Sequence, residues 1–264
     1  MVIVANLQAI NKAGFAKKSW KHNTDFRFAA SDAVCLLGAA EVPSAMMAMP
    51  LAFVATGGGY SIAAIQGLEH GANYFVNAEG KWIGSYIPAA YRARPFALAN
   101  YQLEEEKPIL CIDTDSGLLI DDDTEEAFYD EELEPMPFLN EIGSFLVTML
   151  TSREASIRMG KVLSTLGLLI PWEVEFKQGD RTKRIDGLFR VDEIALNELP
   201  GDAYAELREA GSIAMIYGHL LSMQRISGLR VLAEKTSDLG MPRQSNELDF
   251  GGVNVDGNIS FDNL

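Results

Sequence analysis

Leu51-Ala52-Phe53-Val54-Ala55-Thr56-Gly57-Gly58-Gly59-Tyr60-Ser61-Ile62-Ala63-Ala64-Ile65 sets two apolar runs on either side of three glycines. Short runs of this kind, broken by a glycine turn, specify a β-hairpin. Pro50 stands at the first position of the first run, where the N–H that proline lacks is least needed. Glycine runs can also cradle phosphate. That reading requires a lysine followed by Ser or Thr behind the glycines, and Tyr60-Ser61 follows instead.

The same grammar continues on the carboxyl side. Tyr74-Phe75-Val76, the turn Asn77-Ala78-Glu79-Gly80, then Trp82-Ile83 and Tyr86-Ile87 predict a second hairpin. Pro108-Ile109-Leu110-Cys111-Ile112 predicts a buried strand between charged flanks. Phe138, Leu139, Ile142, Phe145, Leu146, Met149 and Leu150 recur at three and four residues, which predicts an amphipathic helix to about Leu166. Trp172 to Phe176 alternates, turns through Gln178-Gly179-Asp180 and is predicted to return along Ile185 to Val191. Asp192 is placed to cap a short helix that Pro200-Gly201 ends. A long helical pattern is then predicted from Asp202 to Lys235, with Gly211 and Gly218 inside it.

Strands segregated from long helices predict an α+β fold, an antiparallel hairpin-rich sheet packed against long C-terminal helices. The expected organisation is one domain over residues 1–236, with an acidic segment at 104–134 inserted and a Gly/Asn/Asp-rich extended tail at 237–264.

Charge is concentrated in one place. Fourteen of the 37 carboxylates fall between Glu104 and Glu134, with Lys107 as the one cation among them; the remainder holds 23 acidic against 21 basic residues. The net charge of −15 is therefore mostly one segment. Such a segment repels nucleic acid and anionic lipid, and attracts a basic protein partner or, weakly, a divalent cation. Asp113, Asp115, Asp121, Asp122 and Asp123 are its candidate docking residues. Asp113-Thr114-Asp115-Ser116-Gly117 opens like a calcium loop, but Leu118 and Thr124 stand where an EF-hand needs glycine and glutamate. His22, His70 and His219 show no ligand spacing. No metal or other cofactor is expected.

No apolar run reaches the length of a membrane span, and Met1 to Ala5 lacks the cationic start of a Sec signal, so the expected location is cytoplasmic or within a particle or surface layer reached by another route. Cys35 and Cys111 sit in apolar surroundings and are read as reduced core residues. The chain contains no GxSxG elbow, and no catalytic residue is assigned. The region Tyr74 to Phe96 interleaves aromatic rings with Lys81, Arg92 and Arg94. Rings and guanidinium forks together make recognition surfaces, so Trp82, Tyr86, Tyr91, Arg92 and Arg94 are candidate binding residues.

Several stretches in order then carry a family likeness: Ala39-Ala40-Glu41-Val42-Pro43 with Pro50-Leu51-Ala52-Phe53-Val54; Gly71-Ala72-Asn73-Tyr74-Phe75-Val76; Gly80-Lys81-Trp82; Tyr86-Ile87-Pro88; Arg94-Pro95-Phe96; Cys111-Ile112-Asp113-Thr114-Asp115-Ser116; Leu168-Leu169-Ile170-Pro171-Trp172-Glu173; and Gly187-Leu188-Phe189-Arg190-Val191-Asp192-Glu193. In these the chain resembles the SapC family of bacterial proteins from about Ala39 to Ser222. The resemblance implies association with a paracrystalline surface layer, or an accessory role in settings that include phage, and it brings no catalytic residues. The segment after Met223 has no counterpart in the likeness.

The expected function is a non-enzymatic interaction protein, a subunit of a surface layer or phage-type particle, whose partners are copies of itself or other subunits. Two alternatives remain from the sequence. One is a peptide- or small-ligand-binding accessory to a modifying enzyme, with a pocket of Trp82, Tyr86 and Arg94. The other is a hydrolase whose site is assembled from dispersed residues, for which a deep cleft holding a shifted carboxylate or His219 would be the sign.

Overall fold

The computed structural model describes residues 6–99, 108–122, 124–178 and 181–238, with backbone only at 176–178, 181–184 and 234–238. Asp123, the first part of the acidic segment at 100–107 and all residues after 238 lie outside the described residues. The strands are β1 (Leu7–Ala9), β2 (Ser19–Trp20), β3 (Val34–Leu36), β4 (Leu51–Thr56), β5 (Gly59–Ile65), β6 (Phe96–Ala99), β7 (Ile109–Asp113), β8 (Leu119–Ile120), β9 (Glu126–Ala127), β10 (Leu169–Pro171), β11 (Val174–Gln178), β12 (Arg181–Ile185) and β13 (Leu188–Val191). The helices are α1 (Lys12–Phe15), α2 (Val42–Ala48), α3 (Ala89–Arg92), α4 (Pro137–Thr165), α5 (Glu193–Asn197), α6 (Gly201–Glu209), α7 (Ser212–Ser222) and α8 (Ile226–Asp238). The fold is α+β with antiparallel sheets, as the sequence predicts.

The described chain divides into two compact units, each with its own apolar core. One is drawn from residues 25–90 and 151–238, the other from 6–24 and 91–150, and α4 supplies residues to both.

The first unit is built on a sheet in the order β10-β13-β4-β5-β3. Its centre is the predicted hairpin: Leu51 pairs with Ala64, and Thr56 with Gly59 across the Gly57-Gly58 turn. Leu51 to Val54 and Ile62 to Ile65 are buried without alternation. The sheet is therefore covered on both faces, which is why these strands read as continuous apolar runs.

β3 pairs only with residues 63–65 of β5, so the rest of that strand has an open edge. Helix α4 lies along it. Ser156 Oγ accepts the Ile62 N–H at 3.4 Å, and one turn earlier Ser152 Oγ accepts the Ala40 N–H at 2.8 Å. One turn later Gly160 approaches the Tyr60 carbonyl so closely that a Cβ would collide with it. Residues 152, 156 and 160 form one small stripe at four-residue spacing. Gly160→Ala is therefore expected to lower stability by about 1–3 kcal/mol. Urea denaturation checks this, and an unchanged midpoint would mean that the helix does not press on the strand.

Three sequence expectations need correction. The second hairpin is cut short: around the predicted turn Val76 bridges Trp82, Asn77 N–H donates to Lys81 O at 3.0 Å and Ile83 N–H to Phe75 O at 2.9 Å, and no paired strand extends to Tyr86-Ile87. Side chains also bond the backbone there. Asn73 Oδ1 accepts the Phe75 N–H, Asn77 Oδ1 the Lys81 N–H, and the Trp82 indole donates to the Tyr86 carbonyl. The hairpin β11–β12 ends at Ile185, and Gly187 at φ 78° turns the chain so that β13 joins the main sheet between β10 and β4. The long helical pattern after Asp202 is broken, because Gly211 adopts φ 74° and separates α6 from α7, and a 3₁₀ turn at Met223–Arg225 separates α7 from α8. The Asp192 cap is present and accepts the N–H groups of Ile194 and Ala195.

The second unit holds two small sheets, ordered β1-β7-β6 and β8-β2-β9. The predicted strand at 108–112 is the central strand β7, and α4 matches the predicted amphipathic helix. Phe15, Phe96, Ile112, Phe128 and Leu146 form its core. Cys35 and Cys111 are buried thiols outside any disulfide, one in each unit, and burial pushes the Cys111 thiol up from its ordinary range.

Candidate functional site

Trp82 and Tyr86 meet directly in the first unit, and Tyr86 in turn reaches Glu41. The Trp82 ring stacks on Phe75 with centroids 5.4 Å apart, and its N–H donates to Tyr86 O at 2.8 Å. Tyr86 O–H donates to Glu41 Oε1 at 2.8 Å, where the Ala89 N–H also donates at 2.7 Å. Glu41 Oε2 accepts the Gly38 N–H at 2.9 Å. Arg153 on α4 interacts electrostatically with this carboxylate and with Cys35; burial pulls its guanidinium below the ordinary range, and the two neighbours oppose that pull. The candidate aromatic residues are thus tied to a carboxylate that sequence reasoning passed over. Its signal was present: glutamate three residues after Gly38, immediately before Val42-Pro43, is half of a capping box.

Tyr91, Arg92 and Arg94 belong to the second unit, so the five aromatic and basic candidates are divided between the units. Tyr91 is buried, and Arg92 lies 5.1 Å from the centre of the Phe145 ring, a cation–π contact.

The described part of the acidic segment is woven into the second unit. β8 and β9 flank β2, and Phe128 and Tyr129 enter the core. Three carboxylates meet basic side chains of the same unit: Asp121 lies 2.8 Å from Lys18, Glu134 3.2 Å from Lys12, and Glu126 3.0 Å from the His22 ring nitrogen. Asp113 is buried and caps a 3₁₀ turn by accepting the Asp115 N–H. Asp122 accepts from the backbone and hydroxyl of Thr124, which holds its carboxyl below the usual range, while Asp115 is exposed. Among the described residues, no cluster of three or more His, Cys, Asp or Glu is arranged to hold a metal ion.

His219, from α7, is fully buried and tied to the main sheet. The pairing of Phe53 with Phe189 would place Leu51 opposite Val191. The imidazole stands between those two residues instead. Val191 N–H can only donate, so Nε2, 3.2 Å away, is the acceptor; the ring proton is then on Nδ1, which donates to Leu51 O at 2.9 Å. Ser222 Oγ accepts the Leu51 N–H at 3.0 Å and donates to His219 O at 2.6 Å. Burial lowers the His219 pKa to about 4; the Leu51 bond opposes this shift and Arg190 adds to it. Both ring nitrogens are consumed by backbone, which is a structural role.

The outer surface of α2 and α7 has a different character. The helices cross where Gly218 meets Val42 and Met46, a contact that a Cβ would block. Beneath, Val42, Ala45, Met215, Ile216 and His219 are buried. Outward, Met47 is 59% exposed, Tyr217 48% and Leu221 63%. Neither helix carries a charged residue: no Asp, Glu, Lys or Arg occurs between Glu41 and Glu69 or between Glu209 and Arg225. A helix that is apolar all round signals burial on more than one side. The sequence held that signal, although the single long helix predicted across Gly211 concealed it.

No helix among the described residues is long and apolar enough to cross a membrane. Two apolar cores, antiparallel sheets and one charge-free helix face define an α+β protein with an outward hydrophobic surface. A family model described as SapC matches residues 10–229, and the chain belongs to the SapC family. The match extends beyond the quoted motifs on both sides. No curated protein and no solved structure matches the chain.

Proposed function

We propose that this chain is a non-enzymatic subunit of a larger protein assembly, of the kind represented by a surface layer or phage-type particle. The observation that carries this reading is the outward face of α2 and α7, where Met47, Tyr217 and Leu221 stand in solvent on helices without a charge. Large apolar side chains exposed on helices that carry no charge support a contact with another protein surface here. The groups with most chemical potential support it from the other side, since His219 and Glu41 are each occupied in holding backbone. The basic partners of Asp121, Glu126 and Glu134 shift the expected contact from the acidic segment to this face.

An apolar contact makes a definite prediction about salt. Association followed by light scattering should persist as the Debye length falls from about 10 Å at 0.1 M to about 3 Å at 1 M. Dissociation over that range would return the contact to the acidic segment. A monomer at all concentrations would end the assembly reading.

A further inference from the structure

The helical line that begins in α7 does not end with it. Ser222, Met223 and Ile226 all keep right-handed helical dihedrals, so the 3₁₀ turn at Met223–Arg225 tightens the coil without reversing it. The buried side runs through both helices in one phase: Met215, His219, Ser222, Ile226, Leu229 and Ala233 face the core of the first unit at spacings of four and three. Opposite them, Ala214, Tyr217, Leu221, Gln224, Gly228 and Val231 are all exposed, at spacings of three and four. That is the repeat of a helix–helix seam, carried over about 26 Å. None of the six is charged, although a solvated helix face ordinarily is.

The sizes along this seam decide what it meets. Reversed end to end about the point between Ser222 and Met223, it sets Tyr217 against Gly228, Val231 against Ala214, and Leu221 against Gln224. The outer layers then join a large side chain with a small one, the alternation that lets facing helices interdigitate. Gly228 is open in the single chain, where a Cβ would meet nothing within 4 Å. A parallel arrangement would instead stack Tyr217 on Tyr217 and leave Gly228 facing Gly228, crowded at one end and hollow at the other. In the reversed arrangement the two Gln224 residues stand about 4.5 Å apart along the axis, where their amides can bond each other and fix the register.

We propose that the α7–α8 seam pairs antiparallel with the same seam of a second copy, about a two-fold axis between Ser222 and Met223. A single chain holds one such seam, so the match of sizes forms only between copies. From Ser212 to Ala233 the strip is about 33 Å by about 10 Å, below the roughly 800 Å² per partner of a standard complex, so the pair is weak and depends on concentration. This inference rests on the assembly reading and gives one contact within it a partner, a direction and a register.

Disulfide trapping reads that register. Full-length chains carrying Tyr217→Cys are mixed at high concentration with chains carrying Gly228→Cys, treated with a mild oxidant and mapped by peptide mass spectrometry. The expected product joins position 217 of one copy to position 228 of the other. It should exceed the product joining two Tyr217→Cys chains about tenfold or more, since those positions lie about 16.5 Å apart along the axis, beyond the reach of a disulfide. Gly228→Leu meets no obstacle within its own chain, so circular dichroism and the urea midpoint should hold or rise. Its dimer dissociation constant, by sedimentation, should nevertheless increase about tenfold or more, because the added side chain strikes Tyr217 of the other copy. A 217-to-217 product in equal yield would overturn the antiparallel pairing. Dimers that form as readily with Gly228→Leu and give no 217-to-228 product would overturn the proposal and leave the assembly reading standing. A monomer at every concentration would overturn both.

Discussion

His219→Ala is expected to remove about 3–5 kcal/mol of stability, although the residue touches no ligand. The truncation leaves a cavity under α7, and it strips Val191 N–H and Leu51 O of their partners. Both groups lie where β4 and β13 cease to pair directly, so water cannot reach them without the sheet opening. Urea unfolding at neutral pH measures the loss; less than about 1 kcal/mol would mean that backbone closes the gap unaided.

The same ring sets a pH dependence. In the unfolded chain His219 takes a proton near pH 6.5, but in the fold it stays neutral until about pH 4. Between those values the unfolded state binds more protons, so this contribution is complete above pH 6.5 and is lost as the pH falls. The difference between pH 7 and pH 4 is about 3 kcal/mol. Carboxylates titrate in part of this range, so the comparison that isolates the ring is with His219→Gln. That variant should be weaker at pH 7 yet lose less stability on acidification. Parallel curves for the two proteins would remove the imidazole from the explanation.

Glu41→Ala is expected to cost about 2–4 kcal/mol, because it leaves the Gly38 and Ala89 N–H groups and the Tyr86 hydroxyl without their acceptor together. Glu41→Gln keeps an acceptor oxygen and should retain part of the loss. Trp82 fluorescence reports the event locally, since the indole is anchored to Tyr86. If Glu41→Ala unfolds at the wild-type urea concentration, the carboxylate is not the hub of this region.

The central hairpin, β7, α4 and the Asp192 cap were legible because each is written in local chemistry: a glycine turn, a bounded apolar run, a 3.6-residue period, an aspartate before a helix. The second hairpin is shorter than predicted for an equally local reason. Asn73, Asn77 and Trp82 bond the main chain themselves, and apolar periodicity does not register that competition. The break at Gly211 was hidden because glycine inside a helical pattern is tolerated as often as it ends one. The site was less legible than the fold. The clustering of carboxylates drew attention to the acidic segment, but its basic partners, Lys12, Lys18 and His22, lie more than a hundred residues earlier and meet it only in the folded chain. The face on α2 and α7 is defined by missing charge in two stretches far apart in sequence, and folding alone makes them one surface.

The stripe of Ser152, Ser156 and Gly160 has a further consequence. A strand flank with unanswered amides is a template on which a stray chain can stack, the first step toward fibrils. Here the flank of β5 is answered at Ile62 by the Ser156 hydroxyl and covered at Tyr60 by the backbone of Gly160, so a helix occupies the edge where a foreign strand would stack. An edge sealed from within in this way limits growth of the sheet whatever the chain's surroundings.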